Sequence, residues 1–175
     1  MKTYLTAVAV AVGAAFVLAA CGGGSSTTTV TATTTGASGA GLSTRSYKNL
    51  EKVEKTAHTE NNKAVSQFAY CTTLVGQSKS LVSSCFLSST GNVLLLGGEV
   101  SGFLQALMQE STGACHDALS QTNDKVAAYV TAVQTLDATA KAGKVPSTTD
   151  INTAKSALTA LQTSKGAVKA ACFPS

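Results

Sequence analysis

The chain has 175 residues, a formal charge of +4 and no Trp, with 44% hydrophobic and only 13% charged residues. That length suits one compact core and falls short of two ordinary domains. The mild positive balance marks a solvated surface; without an Arg cluster carrying interleaved aromatics, no nucleic acid is expected as a partner.

The first element is a leader. Lys2 is the only charge before Arg45, and an apolar run from Leu5 to Ala20 follows it. A permanent membrane span needs about 20 apolar residues, so this shorter run has the layout of a signal peptide. It ends Leu18-Ala19-Ala20-Cys21, which resembles the lipobox of bacterial lipoproteins. The resemblance covers residues 1–21 only. It implies a signal peptide over 1–20, cleavage after Ala20 and lipid, palmitate included, on Cys21. Two or three acyl chains hold a protein stably at a membrane where one does not. The expected place is therefore the extracytoplasmic face of the cell membrane, or an outer membrane in a two-membrane envelope.

Residues 21–42 read as a tether. After Cys21 they are almost wholly Gly, Ser, Thr and Ala, with too little apolar surface to offset the entropy of ordering. The domain proper is expected over 43–175.

Four amphipathic segments follow, each with apolar residues three and four apart. The first, Ser43 to Val75, carries Tyr47, Leu50, Val53, Ala57, Ala64, Phe68, Cys71 and Val75, with Asn61 interrupting the line. The second, Ser78 to Glu110, carries Leu81, Cys85, Leu96, Val100, Phe103 and Leu107. Gly91-Asn92 and Gly97-Gly98 predict an irregular joint within it. Val93 to Leu96 has strand composition but no partner strand. The third, Gly113 to Ala142, holds Cys115, Leu119, Thr122, Val126, Tyr129, Val133, Leu136 and Ala140 in unbroken four-three alternation. Gly143 and Pro146 stop it. The fourth is capped by Ser147 with Asp150 three residues on, and carries Ile151, Ala154, Leu158, Leu161, Val168 and Cys172, with Lys165 in the remaining place. These segments predict an all-α fold, an antiparallel four-helix bundle with an irregular second helix.

With Cys21 lipidated, Cys71, Cys85, Cys115 and Cys172 remain. An even number in an exported domain favours two disulfides. In an up-down-up-down bundle Cys71 and Cys85 lie about 10 Å below the same turn. Cys115 opens the third helix and Cys172 closes the fourth. Antiparallel geometry therefore levels Cys71 with Cys85 and Cys115 with Cys172. No CxxC or zinc spacing is present, so no metal and no cofactor is expected.

Candidate chemistry is sparse. His58 stands four residues after Glu54, which predicts an exposed helix pair. Glu110, His116 and Asp117 are the one tight acid–imidazole group, yet neighbours on a helix diverge by about 100°. Gly97, Gly98 and Gly102 lack the strand and Lys-Ser/Thr of a phosphate loop. No catalytic residues are assigned. The sequence points to a non-enzymatic surface interaction or binding module whose partners are the membrane, through Cys21, and an envelope, wall or protein component. The alternative is a small-molecule carrier or sensor with a cavity inside the bundle.

Overall fold

The computed structural model describes residues 41–173. The leader, Cys21 and most of the tether lie outside the described residues. Within them the chain forms four helices: α1 (Thr44–Thr73), α2 (Lys79–Glu110), α3 (Gly113–Lys141) and α4 (Thr148–Cys172). They pack as an antiparallel bundle in chain order, with the broadest contacts between α2 and α3 and between α3 and α4.

The helix ends follow from local chemistry. Ser43 accepts from Ser46 N–H at 3.1 Å, and Ser78 accepts from Leu81 N–H at 3.1 Å. These contacts satisfy backbone donors that have no partner inside the helix. Ser147 and Asp150 form the full capping box, with the serine hydroxyl accepting from Asp150 N–H and the aspartate accepting from Ser147 N–H. At the end of α3, Gly143 adopts φ +68°. Its N–H reaches Ala140 O at 2.9 Å while Lys144 N–H reaches Thr139 O at 3.1 Å, a Schellman closure.

The irregular second helix is corrected: α2 is one continuous helix of 32 residues. Gly97 breaks nothing. A Cβ there would collide with Val130 Cγ2 of α3, so the glycine serves close helix approach. Gly91, Gly98 and Gly102 have open space where a Cβ would stand. Part of the buried stripe lies one residue from its expected place: Val82, Phe86 and Leu104 are buried beside the expected Leu81, Cys85 and Phe103, and Leu81 is exposed, whereas Leu107 is buried as expected and Val100 and Phe103 pack partly buried against the core. Buried Ser89 and Thr90 carry the stripe through positions that composition reads as polar. By length and composition α2 is apolar enough to cross a membrane; in the bundle it lies against α1 and α3.

Two smaller corrections concern α1. Helix α1 ends at Thr73, so Leu74 is buried in the following turn and Val75 is exposed. Leu42, counted with the tether, is 6% exposed and packs into the core beside Leu50, Val168 and Cys172. The folded domain thus begins before its first helix.

The core has two parts. One gathers Phe68, Phe86, Tyr129, Val133, Leu136 and Ile151. The other gathers Leu50, Leu104, Leu107, Leu119, Val126 and Val168. Each part carries one disulfide. Cys71–Cys85 joins α1 to α2, and Cys115–Cys172 joins α3 to α4, with Cα separations of 5.7 and 4.6 Å. Both pairs are those that antiparallel levelling predicts. In the chain-entropy picture, loops of 14 and 57 residues correspond to about 3 and about 4 kcal/mol of stabilisation.

Candidate functional site

The two halves of the core do not meet fully. At mid-height α1 presents Ala57 and Asn61, small or polar residues where a large apolar side chain would fill the space. The result is a hollow of about 40 Å³ walled by Leu50, Val53, Ala57, Val100, Leu104, Val126, Leu158 and Leu161. A second hollow of about 20 Å³ adjoins it, sharing Ala57, Asn61, Val100, Val126 and Leu161 and reaching Tyr129.

Two buried hydroxyls at this level have no hydrogen-bond partner, Thr122 Oγ1 and Tyr129 Oη; Thr122 belongs to the wall of the larger hollow and Tyr129 to that of the smaller. The two residues are 4% and 2% exposed. An unpaired buried hydroxyl costs about 1–3 kcal/mol, so this pair marks the waist as energetically distinct from the sealed core above and below. Burial also raises the Tyr129 phenol pKa, keeping it protonated.

The mouth opens on the seam between α1 and α4, the adjacent pair with the least contact. Glu54, His58, Gln162 and Lys165 rim it. Two hydrogen bonds cross the seam here: Gln162 Nε2 to Asn62 Oδ1 at 3.0 Å and Lys165 Nζ to the Glu54 carbonyl at 3.2 Å. Burial raises the Glu54 carboxyl above the ordinary range; Lys165 opposes that rise and Glu51 adds to it. His58 faces forward along α1, with its Nε2 3.0 Å from Asn62 Nδ2. The expected pairing of His58 with Glu54 is therefore corrected: the glutamate turns toward the seam.

A second, open groove of about 430 Å³ runs between α1 and α2. Val53, Leu96 and Phe103 give it apolar walls, and Asn49, Lys52, Thr56 and Glu99 line it with polar groups.

No family model, curated protein or solved structure matches this chain.

The acid–imidazole group is not brought together. Glu110 accepts from Ser46 Oγ at 3.0 Å, tying the end of α2 to the start of α1. His116 Nδ1 lies 3.6 Å from Asp117 Oδ1, with both side chains exposed. Among the described residues no group of three His, Cys, Asp or Glu side chains is placed to hold a metal ion. The cysteines singled out by sequence, Cys71, Cys85, Cys115 and Cys172, are all spent in the two bridges. Cys21 lies outside the described residues.

Sequence reasoning passed over the waist because Thr122 and Tyr129 sit in the third helix's apolar line and read as ordinary core positions. The available signal was Asn61, which falls where α1's stripe should be apolar and faces the same hollow.

Proposed function

We propose that the protein is a lipid-anchored, extracytoplasmic binding module that works without catalysis. Cys21 carries the acyl chains, residues 22–41 act as spacer, and the helical bundle presents a binding site away from the bilayer. Among the structural observations, the doubly bridged bundle carries this reading. Each end is closed by a disulfide, a device suited to oxidising compartments outside the cytoplasm, and it fits the lipobox at residues 18–21.

Of the two binding modes expected, the better supported is a surface partner, for which the α1–α2 groove of about 430 Å³ offers an apolar wall at Phe103 beside Lys52 and Glu99. The waist hollow has apolar walls and a polar-rimmed mouth, but at about 40 Å³ it is far smaller than the roughly 300–1,000 Å³ of small-molecule sites. Fractionation of cells expressing wild type and Cys21→Ala tests the anchor. Wild type is expected with membranes and the variant in the soluble extracytoplasmic fraction. Equal membrane association of both overturns the assignment.

A further inference from the structure

Resting on the surface-partner reading of the α1–α2 groove, we infer that this groove and the outward face of α1 together bind a linear, phosphodiester-linked polyol or sugar polymer of the envelope. Its phosphates lie along Arg45, Lys48, Lys52 and Lys55, and the bodies of its units lie in the groove.

The row of cations comes from helix periodicity. At about 100° per residue, positions 45, 48, 52 and 55 fall within an arc of about 80°. The buried residues of α1, Leu50, Ala57, Ala64 and Phe68, point the opposite way, and all four cations are exposed. At about 1.5 Å of rise per residue the row is about 15 Å long. Among the described residues none of these four side chains enters an ion pair. The acids of α1 stand off the row. Glu51 and Glu54 line the α1–α4 seam with Lys165 and Lys169, and Glu60 pairs with Lys63 at 2.8 Å. A small net charge on the whole chain therefore conceals an uncompensated line of positive charge on one face.

The groove decides the kind of polyanion. Lys52 belongs to both the row and the groove, where Asn49 and Thr56 stand beside it on α1. Val53, Leu96 and Phe103 supply apolar wall, and Glu99 supplies a carboxylate from α2. That carboxylate repels a phosphate and accepts from a hydroxyl, so it sorts the polymer's charges onto α1 and its hydroxylated bodies into the groove. A bilayer of anionic headgroups would press on Glu99 as well as on Lys52. Three of the four cations are lysines, whose compact ammonium binds phosphate as a point charge, while the planar fork that matches a carboxylate occurs only at Arg45.

The test titrates fluorescently labelled poly(glycerol phosphate) with the mature chain, held in micelles of a neutral detergent, and follows anisotropy against salt. Four phosphate contacts on a single-stranded polyanion give a slope of log K against log salt of about −3, a loss of about fiftyfold between about 50 and 200 mM. Lys48→Gln and Lys52→Gln are each expected to reduce the slope by about 0.7 and that loss to about twentyfold. Lys79→Gln, at the opposite end of the bundle, is expected to leave both unchanged. Phe103→Leu is expected to weaken binding at an unaltered slope, and poly-L-glutamate to bind more weakly than poly(glycerol phosphate). A slope untouched by Lys48→Gln and Lys52→Gln overturns the proposal. So does equal affinity for poly-L-glutamate, which would mean attraction to charge alone, or a preference for phosphatidylglycerol vesicles, which would mean a lipid surface. Because Cys21→Ala fractionation is a separate readout, failure here leaves the anchored-module reading standing, and failure there leaves this site standing.

Discussion

Four glycines of α2 separate a continuous helix from a broken one. Alanine at Gly91, Gly98 or Gly102 meets no atom within 4 Å. Each such substitution removes backbone freedom from the unfolded chain and improves helix propensity, a gain of about 0.5–1 kcal/mol. For a domain of this size that raises Tm by about 3 °C. Gly97→Ala has the same propensity gain but drives its Cβ into Val130 Cγ2. Val130 is β-branched on a helix, with one strongly favoured rotamer, so its methyl cannot swing aside. Overpacking costs about 1–3 kcal/mol, which leaves Gly97→Ala destabilised by up to about 2 kcal/mol. Adding Val130→Ala should return most of that loss. Thermal and urea unfolding of the four single variants and the Gly97→Ala/Val130→Ala double variant make the comparison. Destabilisation by Gly98→Ala would mean a left-handed or broken backbone there. Stabilisation by Gly97→Ala would mean that α2 and α3 do not approach closely. Either result refutes the packing described.

Replacing Cys115 and Cys172 together with Ala should lower stability by about 4 kcal/mol, and replacing Cys71 and Cys85 by about 3 kcal/mol, read from urea midpoints without reductant; a reversed order would count against the two loop lengths. Tyr129→Phe removes an unpaired buried hydroxyl and is expected to be neutral or to stabilise by about 1 kcal/mol, a result that a loss above 1 kcal/mol would contradict. Asp137 is buried, which by itself raises its pKa; hydrogen bonds from Lys141 at 2.7 Å and Thr90 at 2.9 Å outweigh that and hold the carboxyl below its ordinary value. It therefore binds fewer protons folded than unfolded. Its contribution to stability is complete above the unfolded-state value of about 3.9 and fades as pH falls through the lower folded value. Asp137→Asn should flatten that acid limb in pH-dependent unfolding, and an unchanged limb would remove Asp137 as its cause.

What was legible in the sequence depended on periodicity being clean. In α3 the eight residues from Cys115 to Ala140 alternate by four and three, and all eight are buried. The cap at Ser147 and Asp150 was equally plain, because side chains alone make it. The disulfide pairs followed from helix order and rise, which are insensitive to side-chain detail. In α2 the signal misled. Glycine ordinarily marks a break, but Gly97 is spent on contact with Val130, a relation between helices that no local pattern records. Polar residues concealed more. Thr90 is buried because Asp137 of α3 stands opposite it, and Ser83 because its hydroxyl donates to the Ala140 carbonyl. The waist was hidden for the same reason: that Asn61, Thr122 and Tyr129 line adjoining hollows is decided by the bundle.

The anchored-module account is tested most directly by intact mass and N-terminal analysis of the protein extracted from membranes of its own host. The expected result is a chain beginning at Cys21 with diacylglycerol on its sulfur and a mass that also carries two intact disulfides. A mature chain that begins elsewhere, or a Cys21 without lipid, would contradict it.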